Sequence, residues 1–194
     1  ASLDALPWTE SSDQLRQRLA WMHQQVGAPW PDRDLTTLLE QADTWLGPSL
    51  EGCLGWNDIS ATALEEALWG DLDWSFRQQL DALLPRRIPI PSGRQAALLY
   101  TADEVILAVK LQEMFGSDDG PHVLNGRIPV TLELPSPAGR PLQRTRALKG
   151  FWEGSYQEVR REMRGRSPKH PWPEDPRQAL PTARTKRRSN GQKP

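Results

Sequence analysis

Cysteine is almost absent from this 194-residue sequence, which contains only Cys53. A single cysteine excludes an internal disulfide and any zinc site built from several cysteines. The histidines are equally scarce, and His23, His122 and His170 lie too far apart in the sequence to form a local metal motif. We therefore interpret Cys53 as a structural residue and expect no metal site.

Long apolar runs are also lacking. No stretch of about 18 apolar residues occurs, as a membrane-spanning helix would need, and the opening segment ASLDALPW lacks the basic start of a signal peptide. The hydrophobic content of 37% is nevertheless enough to bury a core in one large or two small domains. The sequence therefore predicts a globular, cytoplasmic protein with no membrane partner.

Nucleotide-binding motifs are missing as well. The chain contains neither a G-x-x-x-x-G-K-[ST] loop to hold phosphates nor a D-E-x-H box to hold magnesium and position water. It also lacks an assembled constellation of His, Cys or Ser for nucleophilic or metal chemistry. We expect no catalytic residue, no bound cofactor and no ATP hydrolysis by that chemistry in this chain.

Charge, by contrast, is abundant and unevenly distributed. Residues 1–85 carry 14 acidic and 4 basic side chains, residues 86–139 carry 6 and 5, and residues 140–194 carry 5 and 15. A basic C-terminal segment favours a polyanionic partner, with nucleic acid as the leading candidate. Solubility, or an acidic protein surface as partner, would explain the same bias.

The acidic residues 1–85 are predicted to form about four helices. Thr62 and Glu65 have the spacing of a capping box, and Asp73 can cap a helix that ends before Pro85. Seven of the nine tryptophans lie in this region, and we interpret them as core or interface residues rather than as a base-stacking platform. Apolar residues recur at helical spacing in two runs: Leu15, Leu19, Met22 and Val26, then Leu35, Leu38, Leu39, Ala42 and Leu46.

Residues 86–148 have the period of strands rather than of helices. A short helix is expected at 111–116, and the last strand places Arg144 and Arg146 on one face. Three strands, a helix and two strands are the order of an OB-fold, a five-stranded barrel that commonly binds oligonucleotides. Tyr100 is its only obvious stacking residue. The five predicted strands are 88–91, 95–101, 104–110, 128–134 and 140–146.

Residues 149–176 are predicted to form a C-terminal helix and an extended, proline-rich strap. The helix covers 150–166, and four prolines after it hold the backbone extended while Trp172 fixes it to the body. The strap either closes a hydrophobic seam or contacts a ligand directly, and both roles are compatible. Residues 177–194 have the composition of a disordered basic tail.

Several segments together resemble the C-terminal end of bacterial HrpB-type, DEAH/DExH ATP-dependent RNA helicases. The segments are GRIPVTLELPSPAGRPLQRTRALKGFW (126–152), SYQEVRREMRGRSPKHPWPEDP (155–176), IPSG (90–93) and AVKLQEMFG (108–116). The resemblance implies two RecA-like motor domains elsewhere in a longer polypeptide, where ATP and magnesium would bind, followed by helical and OB-like accessory domains. The present chain, which starts at Ala1, would be the accessory part.

The resemblance implies that basic groups of this chain contact an RNA backbone, with single-stranded DNA as a further possible ligand. Lys and Arg side chains supply such phosphate contacts, and His or Tyr rings can stack on bases. The rival reading is a stand-alone protein-interaction module that uses the tryptophan-bearing helices and two P-x-x-P elements. The candidate residues for RNA contact are Arg94, Tyr100, Lys110, Arg140, Arg144, Arg146, Arg164, Arg166, Lys169 and His170.

Overall fold

The computed structural model describes residues 2–135 and 143–183. The chain divides into two compact units, of which the first comprises Ala1–Leu84 with Tyr100–Asp103 and the second comprises Pro85–Leu99 with Glu104–Pro194. The first unit is helical, whereas the second combines short strands with two α-helices. The predicted mixture of helices and strands is thus confirmed. No helix among the described residues has the length and apolar character needed to cross a membrane.

Capping side chains set the starts of the helices in the first unit. Thr9 and Ser12 form a capping box, while Asp34, Ser60 and Asp73 each accept a hydrogen bond from a backbone N–H of the helix that follows. The helices are α1 (Glu10–Val26), α2 (Leu35–Glu40), α3 (Ala42–Leu46), α4 (Ala61–Trp69) and α5 (Trp74–Leu83).

Two details of this region differ from the sequence prediction. The apolar run from Leu35 to Leu46 forms two short helices rather than one, because the chain bends at Gln41, whose ψ of 25° departs from helical geometry. The cap of α4 is Ser60 rather than Thr62, since the Ser60 side chain accepts from the Ala63 N–H. The predicted apolar face is only partly buried, because Leu38 and Leu46 are inaccessible to solvent whereas Leu35 and Leu39 are about half exposed.

The core of the first unit lies between α1, α4 and α5. Leu19, Leu64, Leu68 and Leu80 are all fully buried. Each lies on the apolar face of its helix, and α1 packs against both α4 and α5. This packing, rather than helix propensity, stabilises helices of this length.

A buried arginine connects the two ends of this helical core. The side chain of Arg18 on α1 is 1% exposed. Its Nε donates to the Leu84 carbonyl over 2.7 Å, and its Nη2 lies 2.5 Å from the Asp81 carboxylate. A buried guanidinium is tolerated only when its donors find acceptors. Arg18 therefore fixes the end of α5 against α1.

The segment Tyr100–Asp103 completes the first unit. The Gln14 side-chain amide exchanges two hydrogen bonds with the Tyr100 backbone, of 3.0 and 2.8 Å, and the Trp21 indole donates to the Thr101 carbonyl over 2.7 Å. Tyr100 itself is 1% exposed, and burial raises the pKa of its hydroxyl far above the usual range.

The described strands are short and form three sheets. The first pairs β1 with β2, the second has the order β3-β4-β7-β8, and the third pairs β5 with β6. All pairs with a known register are antiparallel except β4 and β7, which run parallel with Ile106 opposite Thr131. The strands are β1 (Arg87–Pro89), β2 (Gln95–Ala97), β3 (Leu99–Tyr100), β4 (Val105–Ala108), β5 (His122–Val123), β6 (Ile128–Pro129), β7 (Thr131–Leu134) and β8 (Gln143–Thr145).

The predicted five-stranded barrel is not confirmed, because the described strands do not close on themselves. Two of the predicted strands change partners midway. The run 95–101 leaves the β1 ladder after Leu98, whose N–H donates to the Arg86 carbonyl, and the run 128–134 is interrupted at Val130, whose N–H donates to the Pro121 carbonyl. Each ladder therefore ends after a few residues. Residues 136–142, which include the start of the last predicted strand, lie outside the described residues.

The predicted short helix at 111–116 is present as a 3₁₀ helix, Leu111–Met114. The predicted helix 150–166 is divided at Gly154 into α6 (Leu148–Glu153) and α7 (Ser155–Arg166). Trp152 and Tyr156, which flank this break, pack edge-on with ring centroids 5.3 Å apart. Both also lie against Phe115, so the aromatic rings form one cluster beneath the two helices.

The C-terminal segment is held to the second unit by its backbone. The Gly116 N–H donates to the Pro176 carbonyl, and the Thr182 N–H donates to the Gln112 carbonyl, each over 2.9 Å. Residues 177–183, which the sequence assigned to a disordered tail, are therefore bound to the body as far as Thr182. The rest of the predicted tail, 184–194, lies outside the described residues.

We expect Arg18→Ala to lower the free energy of unfolding by about 3 kcal/mol, because it removes a packed side chain and leaves the Leu84 carbonyl without this donor. Urea unfolding followed by circular dichroism measures the change. Arg161→Ala, at an exposed position on α7, is the control and should change stability by less than about 0.5 kcal/mol. Equal effects of the two substitutions would contradict the role of Arg18.

Candidate nucleic-acid interface

A group of cations lies where α7 ends. Arg164 and Arg166 are exposed in its last turn, and Lys169 and His170 follow in a tight turn that the His170 N–H closes by donating to the Ser167 carbonyl over 3.2 Å. We call Lys110, Arg164, Arg166, Lys169 and His170 the basic turn. Cations in the last turn also complement the helix dipole, so part of their placement serves the helix itself.

The chain after this turn is attached to α7 by three side-chain donors. The Tyr156 hydroxyl donates to the Pro173 carbonyl (2.6 Å), the Gln157 amide to the Glu174 carbonyl (2.9 Å), and Arg160 Nε to the Trp172 carbonyl (2.9 Å). Such donors satisfy backbone carbonyls that the non-helical segment cannot pair with itself. Residues 172–174 are therefore held along one face of α7.

Trp172 anchors the turn from the other side, since its indole N–H donates to the Ser167 carbonyl over 3.0 Å. The predicted extended strap is nonetheless not confirmed, because residues 167–170 form a turn. The prolines order a turn and a short return segment rather than one extended strand. The turn's position is fixed from both its ends.

Lys110 lies close enough to His170 to act on its titration. Burial and, secondarily, the positive charge of Lys110 lower the pKa of the His170 imidazole. The ring is therefore predominantly neutral at pH 7 and contributes a hydrogen-bonding and stacking surface there. Positive charge in the basic turn comes from its lysines and arginines.

The cations of the basic turn differ in how far they are already paired. Arg166 lies 3.5 Å from Glu162 on the same helix. Lys110, Arg164 and Lys169 are exposed and have no carboxylate within 4.0 Å among the residues that the structure describes. An exposed cation without a partner can meet a phosphate without first breaking an ion pair.

Three other candidate arginines are occupied by carboxylates. Arg94 Nη2 lies 2.7 Å from Glu113, whose side chain is only 4% exposed, so this arginine neutralises a buried charge. Arg144 lies on β8 and Arg146 follows directly after that strand, and both contact Glu104. Their use in binding phosphate would require these pairs to open, which lowers their value as contacts.

Glu104 is the centre of this second cluster. Partial burial on its own would raise the pKa of Glu104, but hydrogen bonds from Arg144, Thr131 and Arg146 lower it below the ordinary value. Arg144 also lies 3.3 Å from Glu133, and Arg146 Nε donates to Thr131 over 3.1 Å. The cluster joins the start of β4 to β7 and β8, so its charged groups stabilise the sheet.

Two of the candidate residues, Tyr100 and Arg140, lie outside both clusters. Tyr100 is fully buried, so its ring cannot be the stacking platform that the sequence suggested; the alternation of the strand turns it inward. Arg140 lies outside the described residues. Sequence reasoning also missed the carboxylates that occupy the arginines. Glu104 gave a signal in retrospect, because it precedes the apolar run Val105–Ala108 and so lies beside the strand that receives β7.

Comparisons with known proteins agree along almost the whole chain. The family described as "ATP-dependent helicase C-terminal" matches residues 45–176. The ATP-dependent RNA helicase HrpB of Escherichia coli K12 is 44% identical over 192 residues, which cover 96% of this chain and 23% of that protein.

Two crystal structures agree with this match. That of the E. coli DExH-box NTPase HrpB has a TM-score of 0.80 and 44% identity over 95% of this chain and 23% of that chain. That of the E. coli DEAH/RHA helicase HrpB has a TM-score of 0.67 and 41% identity over 88% and 22%, respectively. The chain therefore spans less than a quarter of the length of these relatives.

The lowered pKa of Glu104 predicts a loss of stability in acid. Since the folded pKa lies below the ordinary 4.5, the Glu104 contribution is fully present above pH 4.5 and is lost as the pH falls through the folded value. Thermal melting between neutral pH and about pH 3 measures this. Glu104→Gln should reduce the acid-dependent loss, whereas Glu40→Gln on an exposed position should not; identical profiles for the three proteins would disprove it.

Proposed function

Because the chain belongs to the HrpB family of ATP-dependent helicases, as its C-terminal domain, we propose that it is the RNA-facing accessory part of such an enzyme. The family resemblance read from the sequence is confirmed by the family match and the 44% identity to the E. coli protein. Side chains of this chain contact the phosphate backbone of the RNA. ATP and magnesium bind to RecA-like domains of the same polypeptide, which carry out the ATP-driven step. The working compartment is the cytoplasm.

The observation that carries the RNA proposal is the basic turn. Within residues 2–135 and 143–183, the candidate cations divide into arginines engaged with carboxylates and a local set that is not. Lys110, Arg164 and Lys169 belong to the second set, and the turn that carries Lys169 is held in place by Trp172 and Arg160. Preformed, unpaired cations suit phosphate contacts that are independent of sequence. His170 adds a ring able to stack on a base.

The strands of the second unit give this role a scaffold. They are short, and the parallel pairing of β4 with β7 brings distant parts of the chain together. Under this proposal the strands are a scaffold, and the side chains of the basic turn make the contacts with RNA. Single-stranded DNA offers the same phosphates and is the alternative ligand.

The P-x-x-P elements support a protein-interaction role less well. The carbonyls of Trp172, Pro173 and Glu174 already accept hydrogen bonds from α7, and the Pro176 carbonyl accepts from Gly116. A ligand for a proline-binding domain must offer its backbone and rings to the partner. The second of these elements, residues 173–176, is engaged with its own unit instead.

The triple variant Lys110→Ala, Arg164→Ala, Lys169→Ala should bind single-stranded RNA more weakly and with a smaller salt dependence. Each lost phosphate contact should reduce the slope of log affinity against log salt by about 0.7. Fluorescence anisotropy of a labelled oligouridine at several salt concentrations gives the slope. The matched control loses the same charge elsewhere on the second unit: Arg86→Ala, Arg87→Ala, Lys149→Ala. The RNA proposal fails if both triple variants behave alike or if neither slope changes.

Trp172→Ala should act on stability, because it removes the anchor of the basic turn without removing a charge. We expect the free energy of unfolding to fall by about 2 kcal/mol, with a smaller drop for Tyr156→Phe, which loses only the hydrogen bond to Pro173. Chemical unfolding distinguishes the two. A wild-type unfolding curve for Trp172→Ala would show that the turn is not anchored in this way.

A further inference from the structure

The imidazole of His170 has no hydrogen-bond partner among the residues that the structure describes. Only its backbone N–H is used, since that group closes the basic turn on the Ser167 carbonyl. The ring is half-buried, yet neither of its nitrogens is sealed from solvent. The other two histidines differ, because His23 and His122 each place Nδ1 within 3.1 Å of a main-chain carbonyl. Both ring nitrogens of His170 are therefore left for a ligand.

The charges around this ring are positive and lack counter-ions. Lys110 lies close enough for its charge to act on the imidazole. Lys169 precedes His170 in the turn, and Arg164 lies in the last turn of α7. All three cations are exposed and unpaired in the part of the chain that the structure describes. The carboxylates of the two flanking segments each lie near an arginine: Glu162 near Arg166, Glu174 near Arg160 and Asp175 near Arg177.

These surroundings make the protonation of His170 sensitive to a bound anion. Without one, burial and the positive charge of Lys110 lower the pKa of the ring. A phosphate among the same cations adds the opposite charge and accepts a hydrogen bond from the ring N–H, so it favours the protonated form. By linkage, a ligand that favours protonation of a group binds more tightly once that group is protonated.

We propose that RNA binding at the basic turn is coupled to the uptake of one proton, which moves from solvent onto His170 and makes its imidazolium a further phosphate contact. The inference rests on the proposed function, because it concerns the same site. RNA affinity then rises as the pH falls through the interval in which histidine is the side chain that ordinarily titrates. Carboxylates of ordinary pKa remain ionised throughout this interval.

Fluorescence anisotropy at about pH 7.5 and about pH 5.5 tests the proposal. The probe is a labelled oligouridine without a terminal phosphate, because its phosphodiesters and uracil rings do not titrate between these values. The wild-type chain should bind about fivefold more tightly at the lower pH, with a salt slope about 0.7 steeper. Equal affinity at both pH values would overturn the coupling and leave RNA binding in place. No binding at either pH would overturn both.

Two histidine variants locate the proton. His170→Gln keeps a hydrogen-bonding side chain that cannot be protonated, so it should bind RNA equally at both pH values. His122→Gln is the matched control, because His122 is an exposed histidine on β5 of the same unit and lies outside the basic turn. It should keep the wild-type gain. A gain that survives in His170→Gln, or an equal loss in both variants, would show attraction to net charge and would overturn the proposal.

Nuclear magnetic resonance of the wild-type chain measures the protonation without any substitution. The chain contains three histidines, and through-bond correlations assign their ring resonances. Saturating oligouridine should raise the pKa of His170 by about one pH unit, as a fivefold to tenfold gain in affinity requires. The pKa values of His23 and His122 should move less. An unchanged His170 pKa in the saturated complex would overturn the proposal, whatever the stability of the variants.

Discussion

Both units depend on guanidinium groups that donate hydrogen bonds to main-chain carbonyls without a backbone partner. In the first unit, Arg18 and Arg33 lie inside and donate to main-chain carbonyls at the ends of α5 and α4. In the second unit, Arg160 donates to the Trp172 carbonyl and so holds the return segment on α7. These carbonyls lie at helix ends or in irregular chain, where the backbone offers them no ladder partner. Arginine thus joins elements that backbone hydrogen bonding alone leaves separate.

This use of arginine divides the cations of the chain into two populations. Members of the first are fixed by carbonyls or carboxylates, as Arg94 is by Glu113 and Arg144 is by Glu104. Members of the second, such as Lys110 and Lys169, remain exposed. The net charge includes both populations equally. Only the cations of the second population can bind a ligand without first breaking an existing ion pair or hydrogen bond. The uneven charge along the sequence therefore overstates how much of it is available for binding.

The helical part of the fold could be predicted from the sequence because its signals are local. Caps such as Thr9 and Asp73, and the spacing of Leu15, Leu19 and Met22, determine where helices start and which face is buried. The strand pairing could not be predicted in this way. A run such as 128–134 alternates correctly, but whether its residues face β5, β4 or β8 depends on contacts distant in sequence.

The candidate site shows the same difference between local signals and contacts distant in sequence. Arg164, Arg166 and Lys169 could be found because they lie close together in the chain. The pairing of Arg144 and Arg146 with Glu104 could not be predicted, because Glu104 lies 40 residues before Arg144 and only the folded sheet brings them together. The prediction that Tyr100 is a stacking residue was wrong for the same reason, since only the fold reveals that its side chain faces inward.

The hydrogen bonds that attach the C-terminal segment to the 3₁₀ helix also matter to anyone who wishes to shorten the chain. A cut directly after α7 would remove the carbonyls that receive Tyr156, Gln157 and Arg160, leaving these donors at the edge of an aromatic cluster. A cut after Thr182 would keep both the return segment and its contact with Gln112. The natural boundary for a minimal second unit therefore lies well beyond its last helix, at a residue in no regular secondary structure.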